Sequence, residues 1–143
     1  IRKLKYRHRT ELAEPLGRRL ARGCASLAGE VDVVVPVPLH RRRLAERGFN
    51  QSALLARRVA RSLGLPLRPR ALRRLRDTPP QASLDRADRA ANVRDAFRAR
   101  ATEARVLLID DVRTTGATLA ACAEALTAAG AARVHVRTLA RVE

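Results

Sequence analysis

Two short runs of β-branched and aliphatic residues, Val31 to Val35 and Arg105 to Ile109, constrain this chain most. Both are apolar almost throughout and only about five residues long, the pattern of strands buried on both faces. Pro36 and Pro38 close the first run, because proline cannot continue a central ladder. Helical spacing fills the gaps between strands. Leu12, Leu16, Leu20, Ala21 and Leu27 follow a Thr10 cap and stop at Gly29. Asn50 leads a second helix through Ala53, Leu54, Ala56, Val59, Ala60 and Leu63 to Gly64. A third spans Gly116 to Ala129, with Leu119, Cys122, Ala123 and Leu126 inward and Gly130 beyond its end. A short strand is expected around Ala71 to Leu75, and the alternating Val134 to Leu139 is a final one. His40 to Gly48 reads as a loop, and Arg76 to Asn92 as a long loop with a helical turn near its end. Strands alternating with helices predict one α/β domain over residues 1–143, with a parallel sheet flanked by helices.

Charge bounds the partners. The net charge is +16, and only Lys3 and Lys5 among the cations are lysines. From Arg41 to Arg76 there are twelve Arg and a single acid, Glu46. Such a field draws phosphates, on a small metabolite or on nucleic acid, although any one of these Arg serves equally as a solvated helix-face residue. Cys24 and Cys122 stand alone, each among Ala and Leu, and read as packing residues rather than zinc ligands. No apolar run approaches the ~20 residues of a membrane span, and no signal-peptide pattern opens the chain, so a cytoplasmic protein is expected. A chain that starts at Ile1 and holds no Met reads as a piece of a longer protein.

The chemistry concentrates in VLLIDDVRTTGAT, Val106 to Thr118. In an open α/β sheet, ligands sit beyond the carboxyl ends of the strands. There Asp110 and Asp111 can accept hydrogen bonds from a vicinal diol. Arg113 to Ala117 offers consecutive amides at a helix start, Gly116 lets a ligand approach closely, and Thr114, Thr115 and Thr118 add hydroxyls. Together these suit one end of a ribose phosphate. A response-regulator receiver also has an acid pair after an apolar strand, but it needs a further Asp and Lys. The 32 residues after Asp111 contain neither. A P-loop needs Gly-Lys-Ser/Thr and a dinucleotide fold GxGxxG; both are absent. A plain turn capped by Asp and Thr leaves two acids at a buried strand end without a use, which is costly.

VLLIDDVRTTGAT resembles the phosphoribosyl pyrophosphate (PRPP) signature of type I phosphoribosyltransferases. The chain is further similar to the ComF competence family. It carries PVPL at Pro36 to Leu39, RGFNQ at Arg47 to Gln51, RLRDTPPQASL at Arg74 to Leu84, RAAN at Arg89 to Asn92 and AF at Ala96 and Phe97. The resemblance runs from about Leu4 to Val142. It implies a type I phosphoribosyltransferase fold with a flexible lid loop, and a Cys-rich zinc ribbon upstream. It departs from the wider superfamily at Arg113, where many relatives have an apolar residue; Arg113 reads as a donor near the phosphate or as a solvated side chain.

The resemblance also implies a reaction at the anomeric carbon of PRPP, in which pyrophosphate leaves with Mg²⁺ that the substrate's own oxygens mostly hold. Asp110 and Asp111 would act on the ribose as the catalytic pair. Arg113, Thr114, Thr115, Gly116, Ala117 and Thr118 would bind the 5-phosphate. The pyrophosphate loop would be Val37, Pro38, Leu39, His40, Arg41, Arg42 and Arg43, and the lid Arg74 to Asn92, with Arg74, Gln81 and Arg89 inward. His40 is an acid, a phosphate donor or a solvated loop histidine, and Asn50 either a substrate contact with Gln51 or a helix cap. His8 and His135 have no acidic or Cys partner in sequence. Three functions stay open: an active transferase with an unknown acceptor, a PRPP- or nucleotide-binding regulator, and an accessory factor in DNA uptake. The last would bind single-stranded DNA through its Arg-rich surface, with a competence helicase as partner. Tyr6, Phe49 and Phe97 are the only aromatics, so base stacking is a minor term.

Overall fold

The computed structural model describes residues 12–77 and 95–141. Among the described residues, four α-helices and a parallel sheet form the frame. Helix α1 covers Ala13–Cys24 and runs into a short 3-10 turn, Ala25–Leu27. Strand β1 is Val33–Pro36, β4 Arg105–Arg113 and β5 Arg133–Arg141, in the order β1-β4-β5, all parallel. Helix α2 is Arg41–Arg47, α3 Gln51–Leu63 and α4 Ala117–Ala128. A separate antiparallel pair joins β2 (Leu72–Arg74) to β3 (Phe97–Ala99). The outer edge of β1 is not bare, because Val34 exchanges backbone hydrogen bonds with Pro66 and Arg68 around Leu67.

The period of two along β1 and β4 divides the core. Val34, Leu107 and Ile109 face α1 and α3, meeting Leu20, Cys24, Leu55 and Val59. Val33, Val35, Val106 and Leu108 face the other way, onto Leu119, Cys122 and Leu126 of α4 with Leu72 and Phe97. Both faces are covered, which is why these strands read as unbroken apolar runs. Each fully buried Leu or Ile is worth ~1.5–3 kcal/mol relative to exposure. Ala123, expected inward, is only half-buried. Helix α1 crosses α3 at Gly17, where an added Cβ would lie 2.7 Å from Arg58 Cβ. At the opposite end of the sheet, Asp32 ties β1 to β4. Its carboxylate accepts from Arg105 Nη2 at 2.7 Å, from Arg105 Nε at 3.1 Å and from the Arg105 backbone N–H at 2.8 Å.

Three expectations are corrected. The segment His40 to Gly48 is not a loop: seven of its residues form α2. His40 Nδ1 accepts the Arg42 N–H at its start, and Gly48 ends it in the left-handed region at φ 78°. Strand β4 does not stop at Ile109 but continues to Arg113, so the acid pair lies inside the ladder. Phe97–Ala99, given no structure from sequence, is β3. Thr10, His8, Gln81 and Arg89 lie outside the described residues.

Candidate functional site at the carboxyl end of the sheet

Strand β4 and helix α4 meet around a pocket of about 40 Å³. Asp110, Arg113, Thr114, Gly116, Ala117 and Thr118 line it. That is space for roughly three water positions, the footprint of a small oxyanion. The first turn of α4 presents amides without carbonyl partners inside the helix, and its dipole favours negative charge there. Gly116 opens the helix at φ 84°, a region that a side chain would strain. An added Cβ there would also lie 3.3 Å from Arg113 Nε, so the guanidinium of Arg113 folds back beside the loop rather than away from it.

The two acids are held differently. Asp110 lines the pocket and is half-buried; its Oδ1 accepts from Ser52 Oγ at 2.7 Å and from the Asp111 N–H at 2.9 Å. Asp111 is 3% exposed, its Oδ1 accepts the Val112 N–H at 2.8 Å, and it does not line the pocket. Thr115 is likewise outside the lining; its Oγ1 is 3.4 Å from the Ala117 N–H, in the role of a weak cap.

The neighbouring segment after β1 is held at its first residue. Val37 donates its N–H to Ile109 O at 2.9 Å, and its carbonyl accepts from Asn50 Nδ2 at 3.0 Å. Asn50 Oδ1 simultaneously caps α3 by accepting from Ser52 N–H at 2.9 Å. Asn50 is therefore a cap and also a clamp on the segment Val37, Pro38, Leu39 and His40. Beyond it, Arg41 and Arg43 sit on α2. Arg43 Nε lies 3.3 Å and Arg42 Nη1 3.4 Å from the carboxylate of Asp77, and Arg42 also pairs with Glu46 at 3.2 Å. His40 Nδ1 is 3.9 Å from Asp77 and accepts the Arg42 N–H, so that contact is not a hydrogen bond.

Arg74 is drawn into the same region from β2. Its guanidinium lies 5.5 Å from the Phe97 ring centroid. Burial and then the nearby Arg43 cation hold its pKa below the ordinary value, with Cys122, Asp77 and Asp110 pulling the other way. Burial pushes the Cys122 thiol well up, and Asp110 adds to this, so that sulfur is a packing group and no nucleophile. Beside α2 and β2 opens a second, larger cleft of about 760 Å³, with Arg41, Arg57, Arg70, Arg73 and Arg74 in its lining. Among the described residues, no group of three or more His, Cys, Asp or Glu is placed to hold a metal ion. None of their helices is long and apolar enough to cross a membrane.

Ser52 and Asp77 are functional candidates that the sequence did not single out. Ser52 is 58 residues from Asp110, and nothing local marks the contact. Asp77 had one signal, as the first acid after a stretch of twelve Arg.

No family model matches the chain. DNA utilization protein YhgH of Escherichia coli (strain K12) is 38% identical over 149 residues, covering 99% of this chain and 65% of that protein. Competence protein F of Haemophilus influenzae is 35% identical over 115 residues, covering 77% of this chain and 50% of that protein. The chain is a homologue of DNA utilization protein YhgH and of Competence protein F. It spans less than two thirds of the length of these curated relatives. The chain also superposes on glutamine phosphoribosylpyrophosphate amidotransferase from B. subtilis with a TM-score of 0.59 and 27% identity, over 89% of this chain and 26% of that one. Purine phosphoribosyltransferase from Pyrococcus horikoshii gives 0.58 at 18% identity, over 90% and 73%. The fold is that of the type I phosphoribosyltransferases.

Proposed function

We propose that the β4–α4 pocket of this ComF-type chain binds the ribose 5-phosphate end of PRPP, and that the protein is a phosphoribosyltransferase acting in DNA uptake. The observation that supports this most is the shared pocket: one carboxylate, Asp110, and the residues that open α4, Gly116, Ala117 and Thr118, line the same 40 Å³. A carboxylate selects hydroxyls and a helix start selects a phosphate, so their adjacency suits a phosphorylated sugar.

In this reading, Gly116, Ala117 and Thr118 hold the 5-phosphate with Arg113 and Thr114, and Asp110 orients the ribose. Asp111 acts from behind, fixing the strand tip through the Val112 N–H. The segment Val37 to His40, clamped by Asn50, faces the leaving pyrophosphate with Arg41 and Arg43 beyond it. The bond from the anomeric carbon to pyrophosphate breaks, its electron pair leaves on pyrophosphate, and a nucleophile takes its place on carbon. Mg²⁺ carried by the substrate would neutralise the leaving charge; with one carboxylate, Asp110, in the pocket lining, such an ion would be held mostly by ligand oxygens. Residues of the lid reading, Gln81 and Arg89, remain part of this proposal on the resemblance alone. So does the upstream zinc ribbon.

Calorimetry with PRPP and Mg²⁺ tests the site. Binding by the unsubstituted chain and its loss in Asp110→Asn/Asp111→Asn, with thermal unfolding unchanged, is the expected pair of results. Equal affinity in both proteins removes the site. Sustained pyrophosphate release with any acceptor marks a transferase, and binding without release marks a PRPP sensor.

The Arg-lined cleft favours one further role, contact with single-stranded DNA, with a competence helicase as the partner that would deliver or receive the strand. Among the described residues no Phe, Tyr or Trp lines that cleft, so the contact would run through phosphates and weaken steeply with salt. An affinity for oligo-dT that does not change between 50 and 200 mM salt, taken here as a rough working range, would remove this role.

A further inference from the structure

Ser52 occupies the second position of α3 and is 2% exposed. A buried hydroxyl in a first helical turn ordinarily bonds backwards to a carbonyl of its own chain segment or caps its own amides. Ser52 does neither with its Oγ. It reaches across to the strand tip and donates to Asp110 Oδ1 at 2.7 Å, the short end of the range for a hydroxyl on a carboxylate. The same oxygen accepts the Asp111 N–H at 2.9 Å. Two fixed donors, one from the helix and one from the strand, therefore set the rotation of this carboxyl group about its own side chain.

The start of α3 is itself held. Asn50 Oδ1 accepts the Ser52 N–H, and Asn50 Nδ2 donates to Val37 O. A continuous path of hydrogen bonds thus runs from the segment after β1, through one helical turn, to the acid that lines the phosphate pocket. Helix α3 is anchored in turn by Leu55, Ala56 and Val59, all fully buried against the sheet. The donor that aims Asp110 is mounted on core and not on a loop. That is the support a binding carboxylate needs, because a side chain left to find its own rotamer loses affinity to the entropy of ordering it.

We infer that Ser52 is a positioning residue: it presets Asp110 for the hydroxyls of a phosphorylated pentose and touches no ligand. The inference rests on the sugar-phosphate reading of the pocket. It separates the two halves of the site, since the Ser52 hydroxyl acts on the ribose carboxylate while Asn50 acts on the segment facing the leaving group.

The test is calorimetry on the full chain with two separate probes, ribose 5-phosphate and inorganic pyrophosphate, each with Mg²⁺. Ser52→Ala is expected to weaken ribose 5-phosphate on the order of tenfold, the effect of one hydrogen bond to a charged group. Pyrophosphate affinity should stay within about twofold of the unsubstituted protein, because its contacts do not pass through Asp110. Ser52→Cys, nearly the same size with a weaker donor, should fall between the two and remains readable if the alanine variant folds poorly. A structural role alone would lower both affinities together or move thermal unfolding without splitting the ligands, and either result overturns the inference. Ribose 5-phosphate binding that survives both substitutions overturns it while leaving the pocket reading intact. Failure of the unsubstituted chain to bind ribose 5-phosphate overturns the pocket reading, and the role of Ser52 with it.

Discussion

Gly116 and Asp77 show how single residues set the terms of binding. Gly116 stands at φ 84° where strand becomes helix, and its missing Cβ leaves Arg113 room to lie over the loop. Gly116→Ala adds left-handed strain of ~1–2 kcal/mol and crowds that guanidinium. Unfolding by urea should report the loss of stability, and PRPP affinity should fall at the same time. Asp77 acts in the opposite sense. Its carboxylate already neutralises Arg42 and Arg43, so an incoming anion must compete with it. Asp77→Asn is expected to raise pyrophosphate affinity about two- to fivefold, in line with the modest worth of partly exposed ion pairs, in a calorimetric titration at low salt. A decrease would show that Asp77 orients these arginines rather than masking them. The residue scale was only partly legible in sequence. That Asp110, Gly116 and Thr118 share one pocket was readable because they are close along the chain. Ser52 was not, because its partner is brought close only by folding.

At the scale of elements, the junctions carry the stability of the frame. Helices α1 and α3 approach so closely that Gly17→Ala would force a 2.7 Å contact with Arg58. Overpacking of that kind costs ~1–3 kcal/mol, measurable as a lower urea midpoint with no change in slope. Strands β1 and β4 are joined by the Asp32–Arg105 pair, and the Arg105 side chain with its backbone N–H holds the Asp32 carboxyl down from 3.8 to about 2. A carboxyl depressed in the folded state stabilises above its ordinary pKa and loses that contribution as pH falls. Asp32→Asn should therefore unfold more easily at neutral pH, and the difference from the unsubstituted chain should shrink between about pH 4 and pH 2. A difference that is undiminished as pH falls through about 2 contradicts the pairing. Elements with their own apolar period, α1, α3, α4, β1 and β4, were legible. Helix α2 was not, since seven residues that include four Arg show no apolar face and the helix relies on His40 and Gly48 at its ends. Strand β3 exists through its register with β2, Arg74 against Phe97, and no local pattern announces a pairing partner.

Across the whole molecule positive charge dominates, and part of it gathers by the end of β1, where Pro36 and Pro38 share a cleft with five Arg. The 30 basic residues against 14 acidic ones give a net +16, and the larger cleft beside the pocket draws five Arg from α2, α3 and the β2 region. A phosphate-bearing ligand is steered to this end before any specific contact forms. The slope of log affinity for oligo-dT against log salt should be steep and negative if DNA uses the same face. Substituting Arg57, Arg70 and Arg73 by Gln should flatten it by about 0.7 for each phosphate that no longer meets an arginine. The parallel order of the sheet was legible from the alternation of strands and helices. The position of the large cleft was not, because it depends on where β2 lies relative to α2 and α3, which no local pattern in the chain announces.

A crystal of the full chain soaked with PRPP and Mg²⁺ bears most directly on the central claim. The 5-phosphate should lie against the amides of Gly116, Ala117 and Thr118, with a ribose hydroxyl on Asp110 and the Ser52–Asp110 hydrogen bond intact. PRPP bound elsewhere, or an Asp110 carboxylate turned away from the start of α4, would contradict it.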